Sequence, residues 1–223
     1  MVAQRLSVIV PALNEARGIG EALSALTPLR GRGHEVIVVD GGSADGTREI
    51  AQGLADAAIV APRGRASQMN AGARAARGDA LVFLHADTRL PSRGDEAILE
   101  SLRTHAWGRF DVEIEGRHPL LPLIARAMNL RSRLTGIATG DQAIFVRRDA
   151  FEGFPEIPLM EDVAFSKAMK RRGWPACLGS RVVTSGRRWE ARGVVRTVLL
   201  MWRLRLLYFL GVPPDRLARR YER

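Results

Sequence analysis

Residues 80–88, ALVFLHADT, place a short apolar run directly before a polar tripeptide. The run at 81–84 is continuous rather than alternating, which predicts a strand buried on both faces of a sheet. His85, Ala86 and Asp87 then follow the carboxyl end of that strand, where open α/β sheets bind their ligands. A carboxylate in this position suits a hard cation such as Mg²⁺ or Mn²⁺ that holds a diphosphate, although Asp87 could equally cap the next turn.

Three more apolar runs, at 6–10, 35–40 and 57–60, precede this stretch. Each is followed by a segment with helical spacing, and the turn GGSADGT at 41–47 places Ser43 and Asp45 where they can cap the helix that begins near Thr47. Strand and helix thus alternate four times at short intervals. This rhythm predicts an α/β fold with a parallel sheet and right-handed crossovers.

The second half of the chain lacks this regular alternation. We expect helices near 94–104, 118–133 and 160–172, a half-exposed strand at 108–114 and a further strand at 142–146. No stretch has the composition of a linker, so the sequence predicts one domain over residues 1–190, followed by a C-terminal tail over 191–223.

The composition is that of a globular protein with a strong positive charge. The 223 residues include 34 Lys and Arg against 24 Asp and Glu, a net charge of +10, which favours nucleotide phosphates, nucleic acid or an anionic membrane as partners. An aromatic content of 6% provides few side chains on which bases could stack, so nucleic acid is the least favoured of these partners. The single cysteine, Cys177, excludes an intrachain disulfide, and with the lack of a signal-peptide pattern it predicts a cytoplasmic protein.

The tail carries most of this charge. From residue 187 onward ten arginines face three acidic residues, and Arg196, Arg203 and Arg205 interrupt the apolar stretch 194–210. Because an arginine near the centre of a spanning helix costs at least about 2.5 kcal/mol, we expect an amphipathic helix lying on the inner face of the cell membrane. The alternative is an ordinary helix packed on the domain or in a dimer interface, and the oligomeric state stays open.

Five segments resemble, in order, the motifs of the family 2 glycosyltransferases: SVIVPALNE (7–15), VIVVDGGSADGT (36–47), GRASQMNAGARAARGDALVFLHADT (64–88), TGDQAIFVRR (139–148) and MEDVAFSKAMKRRG (160–173). Within the family the chain is similar to the small single-domain bacterial members found beside radical-SAM/selenodomain proteins. The resemblance implies the GT-A fold, a Rossmann-like three-layer α/β/α arrangement around a mostly parallel sheet.

The resemblance also implies a donor site for a nucleotide-diphosphate sugar. The matching positions are Pro11, Asn14, Glu15, Asp40, Ser43, Asp45, Arg65, Asn70, Asp87, Arg188 and Trp189. Asp87 matches the last acid of the D-x-D metal motif, and His85 stands where its first Asp would be. His85 is thus a second candidate ligand that would favour Mn²⁺ over Mg²⁺, or a side chain that only fills space or contacts the sugar.

On the acceptor side, Asp162 matches the general base and Glu161 the acid that orients the acceptor or the base. Gly140, Asp141 and Gln142 resemble the acceptor-binding loop, with a plain turn as the alternative for Asp141. One base without a covalent nucleophile implies a single displacement with inversion at the anomeric carbon. We expect Asp162 to stay ionised easily, because a helix N-terminus favours its charge.

Two other classes remain open at this stage. A nucleotidyltransferase would share the sheet and the metal acid, but it would need a Gly-rich phosphate loop where this chain has PALNEARG. A non-catalytic protein that binds sugar nucleotides or nucleic acid is the second alternative. Ser185 stands where processive relatives have the Gln of Q-x-x-R-W, which argues against processivity. The acceptor hydroxyl could be soluble or lipid-linked.

Overall fold

A computed structural model describes residues 5–221 of the chain. The strands are β1 (Leu6–Ala12), β2 (Glu35–Asp40), β3 (Ala57–Val60), β4 (Ala80–Phe83), β5 (Thr88–Arg89), β6 (Trp107–Glu115), β7 (Ile144–Arg147) and β8 (Ala176–Ser185). The α-helices are α1 (Ala16–Ser24), α2 (Thr27–Gly31), α3 (Thr47–Leu54), α4 (Arg65–Ala75), α5 (Gly94–Ser101), α6 (Leu121–Thr135), α7 (Glu161–Met169), α8 (Arg187–Arg192), α9 (Val194–Phe209) and α10 (Pro214–Tyr221).

All eight of these strands join one sheet in the order β3-β2-β1-β4-β7-β6-β8-β5. Strand β1 lies between β2 and β4 and runs parallel to both, with Val8 opposite Val36 and Val82. Of the seven strand pairings within residues 5–221, four are parallel, and β4–β7, β6–β7 and β5–β8 are antiparallel. The predicted mostly parallel sheet is confirmed. Because the carboxyl ends of β1, β2 and β4 meet at one edge, the loops that follow them converge there.

Helices cover both faces of the sheet. Val8 and Val10 of β1 belong to one core cluster, together with Ile19 and Leu23 of α1. Ile9, which points to the other face, belongs to a second cluster that includes Met69 of α4. The three-layer arrangement follows from strands that are largely apolar and buried at nearly every position. Helix α4 approaches the sheet so closely that a Cβ at Gly72 would lie 2.4 Å from Cγ2 of Ile9, so this glycine permits the close packing of α4 on β1.

Several predicted elements differ from the observed ones. The strand expected at 142–146 begins only at Ile144, because Gly140–Gln142 form a 3-10 turn. The helix expected from 118 begins at Leu121 and ends at Thr135, where Gly136 adopts a left-handed conformation with φ of 65°. Strand β8 corresponds to none of the elements predicted from the sequence.

The tail contains the end of α8 and two further helices, α9 and α10, rather than one helix. Leu204 of α9 and Leu217 of α10 are buried with Met160 and Val163 at the start of α7. The opposite face of α9 is exposed and apolar, with Trp202 67% and Leu206 60% accessible. No helix within residues 5–221 is long and apolar enough to cross a membrane.

Candidate active site

A cavity of about 490 Å³ opens at the carboxyl edge of the sheet. Six of the predicted donor-site residues line it: Pro11, Glu15, Arg65, Asp87, Arg188 and Trp189. The cavity also includes His85 and Asp141, which come from different halves of the sequence. The sheet edge therefore brings together residues spread over 179 positions of the chain, counted from Pro11 to Trp189.

Three predicted donor-site residues instead join the loops that border the cavity. Asn14, in a left-handed conformation with φ of 53°, accepts the Ala44 N–H through its side chain and donates its own N–H to Oγ of Ser43. Asp45 accepts hydrogen bonds from the N–H of Ala16 and from both the N–H and the hydroxyl of Thr47. These bonds, led by the one from the Thr47 hydroxyl, lower the pKa of Asp45. These side chains hold the loop after β1 against the turn after β2.

Asp40 is buried behind this turn rather than exposed in the cavity. Its Oδ2 accepts the N–H groups of Gly42 at 3.0 Å and Ser43 at 2.9 Å. Its Oδ1 is buried without a hydrogen-bond partner among the described residues. A buried carboxylate oxygen without a donor is costly, so a donor group brought by a ligand would stabilise it.

Asn70 lies outside the cavity. Its side chain donates to the Phe154 carbonyl at 2.9 Å and accepts the Phe154 N–H at 2.8 Å, so it fixes the loop 151–154 on α4. Gln142 is also turned inward, where its side chain accepts the Thr139 N–H at 3.2 Å and contacts Asn129. The structure brings neither predicted residue to the site, because both amides satisfy buried backbone groups elsewhere.

Arg188 closes one side of the cavity by an ion pair with Glu15. Its Nη2 lies 3.0 Å from Oε1 of Glu15, although the two residues are 173 positions apart. The Glu15 side chain is 18% exposed and that of Arg188 59% exposed. Arg188 therefore stays accessible to an anion in the cavity while Glu15 holds its position.

His85 pairs with the acceptor loop rather than with Asp87. Its Nδ1 lies 3.3 Å from Oδ1 of Asp141, and a Cβ at Gly140 would lie 2.4 Å from its Nε2, so only glycine fits there. Desolvation opposes the charge of Asp141, but the hydrogen bond from His85 and the positive charges of His85, Arg65 and Arg188 together outweigh it and lower the pKa of Asp141. His85 thus connects the loop after β4 to the 3-10 turn before β7.

Asp87 is the carboxylate best suited to a metal ion. It lines the cavity, and its carboxylate has no hydrogen bond or ion pair with any residue of 5–221. No group of three or more His, Cys, Asp and Glu within the described part of the chain could hold a metal by itself. A divalent ion at Asp87 would therefore need oxygen ligands from a bound diphosphate.

Glu161 and Asp162 begin α7 and line a smaller pocket of about 150 Å³. Oδ2 of Asp162 accepts the Gly140 N–H at 3.1 Å, and Oδ1 accepts its neighbour's N–H, that of Val163, at 2.7 Å. Burial and the adjacent Asp162 charge raise the pKa of Glu161 to about 7, and burial also raises the pKa of Asp162. The helix N-terminus therefore does not outweigh desolvation, contrary to the expectation that Asp162 ionises easily.

Gln68 is a site residue that the sequence analysis missed. It is 4% exposed, lines the cavity and donates from Nε2 to the carbonyl oxygens of Ala12 at 2.8 Å and Val39 at 2.7 Å. This amide holds the ends of β1 and β2 together beside the cavity. Gln68 lies within the motif GRASQMN, but the sequence does not indicate which face of the helix a single glutamine occupies.

Known proteins resemble this chain in sequence. The profile described as glycosyl transferase family 2 matches residues 7–153. Dolichol-phosphate mannosyltransferase of Pyrococcus furiosus is 30% identical over 121 residues, which are 51% of this chain and 33% of that protein. Succinoglycan biosynthesis protein ExoA of Rhizobium meliloti is 53% identical over 53 residues, 22% of this chain and 15% of that protein. The matches thus span a third or less of these relatives.

Solved structures resemble the fold. S. aureus TarS 1-349 in complex with UDP-GlcNAc matches with a TM-score of 0.63 and 19% identity, over 82% of this chain and 58% of that one. Mannosyltransferase PcManGT from Pyrobaculum calidifontis, in complex with GDP-Man and Mn²⁺, matches with a TM-score of 0.59 and 24% identity, over 80% of this chain and 56% of that one. The predicted GT-A fold is confirmed.

Proposed function

Because the chain belongs to glycosyl transferase family 2, we propose that it moves a sugar from a nucleotide-diphosphate sugar to an acceptor hydroxyl, with inversion. The main observation in support of the proposal is that two spaces in the structure share a wall. The 490 Å³ cavity and the 150 Å³ pocket of the two acids have five lining residues in common: Arg65, His85, Asp141, Arg188 and Trp189. A donor in the first space and an acceptor in the second would meet at that wall.

Asp162 is the proposed general base. Two backbone N–H groups fix its carboxylate, which leaves it in a defined orientation toward an acceptor hydroxyl. Burial raises the pKa of Asp162 and brings it nearer to neutral pH, which makes it a stronger base than an exposed aspartate. As the acceptor oxygen bonds to the anomeric carbon, its proton passes to Asp162.

Glu161 orients the acceptor in this proposal. With burial raising its pKa to about 7, the carboxyl group keeps a proton in much of the population at neutral pH. A protonated Glu161 donates a hydrogen bond to an acceptor oxygen, and it avoids a second negative charge beside Asp162.

The leaving nucleotide diphosphate takes the electron pair of the broken bond and therefore develops negative charge. Arg188 lines the donor cavity, and so does Arg65, whose pKa is raised because the charges of Glu161, Asp141, Tyr221 and Asp162 together outweigh desolvation. Asp87 would hold Mn²⁺ or Mg²⁺, which supplies charge neutralisation at the diphosphate when bound. The Mn²⁺ in the PcManGT complex supports this choice of ion.

The acceptor side supports peripheral membrane contact and a lipid-linked acceptor. Exposed apolar side chains on α6 and α9, among them Leu130, Leu134, Leu199 and Trp202, lie on the same helices as the exposed Arg126 and Arg203. An apolar surface with basic side chains suits the headgroup region of an anionic bilayer. The relative named dolichol-phosphate mannosyltransferase agrees with this proposal.

Donor screening followed by an isotope-transfer assay tests the proposal. A thermal-shift screen of UDP- and GDP-sugars with and without Mn²⁺ identifies the donor, since a ligand at 100 times its Kd adds about 2.7 kcal/mol of stability. Labelled donor is then incubated with lipid extract and with soluble extract. We expect Asp162→Asn to keep donor binding and to lower transfer by roughly 10²–10⁴-fold, whereas the exposed Asp149→Asn does not change it. Full transfer by Asp162→Asn would move the base to Glu161 or Asp141.

A further inference from the structure

A third cavity, of about 340 Å³, lies between α6 and α9. Ile124 and Met128 of α6 line one side, and Val198 and Trp202 of α9 line the other. Trp189 contributes to its wall. The volume falls in the range of about 300–1,000 Å³ that small-molecule sites occupy, and the apolar lining suits a hydrocarbon chain.

This cavity adjoins the pocket of the two acids. Four residues line both spaces, namely Asp141, Trp189, Met201 and Arg205. A molecule with an apolar part in the cavity could therefore extend a polar end toward Asp162. Apart from Asp141 and Trp189, the residues of this cavity do not line the donor cavity.

Arg131 lines the cavity and brings to this apolar surface a positive charge whose buried nitrogens, Nε and Nη2, have no hydrogen-bond partner among the described residues. It forms no ion pair with any residue of 5–221, whereas the neighbouring buried Arg109 is paired with Asp111. A buried guanidinium without a partner is unfavourable, and an anion beside it would relieve that penalty.

Arg131 shares its cavity with Asp141, which also lines the pocket of the proposed base. Burial lowers the pKa of Arg131, the charges of Asp162 and Asp141 oppose this effect, and the charge of Arg109 adds to it. An arginine near Asp162 is suited to hold the anionic group of a molecule whose hydroxyl faces that carboxylate.

We propose that the cavity between α6 and α9 is an acceptor subsite for an amphiphile that carries a phosphate or similar anion, with Arg131 as the partner of the anion. The proposal rests on the proposed function, because it names the class of acceptor that Asp162 deprotonates. The apolar chain lies between Met128 and Trp202, the anion faces Arg131, and the hydroxyl points toward Asp162.

Three matched probes separate the parts of this ligand: 1-octylglycerol 3-phosphate, neutral 1-octylglycerol and glycerol 3-phosphate, each below its micelle concentration. Titration calorimetry on the full chain measures their affinities. We expect the amphiphilic phosphate to bind at least about tenfold more tightly than either of the others, a difference of about 1.4 kcal/mol. In Arg131→Gln the preference for phosphate over neutral octylglycerol should disappear, and Arg131→Lys should retain part of it.

Two further variants complete the design. Arg48→Gln removes an exposed arginine from α3, which lines none of the three spaces, and should change none of the affinities. Ala127→Trp adds bulk at the cavity wall, at an exposed position that tolerates it, and should weaken both octyl compounds without affecting glycerol 3-phosphate.

Opposite results overturn the inference. Equal affinity for the neutral and the phosphate amphiphile, or an unchanged phosphate preference in Arg131→Gln, would remove Arg131 from acceptor binding. Glycerol 3-phosphate binding as tightly as its octyl derivative would identify a soluble anion as the ligand. UDP and GDP titrations with Mn²⁺ run alongside: their failure on the wild-type protein refutes the donor site, whichever amphiphile binds.

Discussion

Replacing Glu161 by glutamine should stabilise the folded protein above pH 7 and leave its stability unchanged near pH 4. Burial and the adjacent Asp162 raise the pKa of Glu161 from 4.5 to about 7. At about 1.36 kcal/mol per pKa unit, ionised Glu161 destabilises the fold by about 3 kcal/mol. Glutamine has nearly the shape of the protonated acid and cannot ionise, so the variant avoids this penalty.

The pH window follows from the sign of the shift. Below about pH 4.5 the carboxyl group is protonated in both the folded and the unfolded chain, so it contributes no pH dependence. Between about pH 4.5 and 7 the unfolded chain releases the proton first, and the free energy of unfolding falls as the pH rises. Above about pH 7 the folded state carries the buried charge, and the wild-type protein bears the full penalty.

Urea titrations of the two proteins at pH 4, 6 and 8 measure this difference directly. The exposed Glu156→Gln serves as the control, because it removes one carboxyl group outside any buried pair. A gain at pH 8 that shrinks steadily toward pH 4 supports the reasoning. Glu161→Gln that is less stable than the wild type at pH 8, or equally shifted at all three values, would refute it.

Three further predictions concern the donor site and the membrane face. Asp87→Ala and EDTA should each abolish transfer, and the variant should lose any Mn²⁺-dependent tightening of nucleotide-diphosphate binding; full activity in EDTA would contradict this. In Asp40→Asn the amide oxygen can still accept the N–H groups of the turn, but an NH₂ group replaces the buried oxygen that has no partner among the described residues. A donor group of the nucleotide would then face another donor, so calorimetry should show nucleotide affinity weaker by about 1–3 kcal/mol. The protein should co-sediment with anionic but not with neutral vesicles, and this binding should weaken at high salt and in Trp202→Ala. Equal binding to both kinds of vesicle would indicate instead that α9 packs in a protein interface.

The strands of the first half could be predicted because burial on both faces leaves a simple signature. Strands β2 and β3 occur at the predicted residues, since each is an apolar run between polar turns. Strand β8 carries no such signature. Its pairing with β6 shifts after Leu178, so that Gly179 and Ser180 have no partner and the alternation of buried and exposed residues is interrupted. The register shift depends on the neighbouring strand and leaves no local pattern.

The candidate site was predictable where a side chain follows a strand or begins a helix. Asp87 and Asp162 are such residues, and both line the predicted spaces. Polar residues inside elements were not predictable, because their partners lie far away in sequence. Asn70 forms hydrogen bonds with the backbone of Phe154, 84 positions away. Arg131 stands out only in the folded chain, where its buried Nε and Nη2 have no hydrogen-bond partner among the described residues.

Helix α8 connects the donor side to the acceptor side. Arg188 reaches back to Glu15 at the donor cavity, while Trp189 lines all three spaces. The donor cavity is built mainly from loops of the sheet, whereas the apolar cavity is built from α6, α8 and α9. In the proposed reaction, substitutions in α9 such as Met201→Ala would therefore alter the choice of acceptor without altering the choice of nucleotide. Asp141 and Trp189 are the exceptions, since both line all three spaces, and replacing either would affect both substrates together.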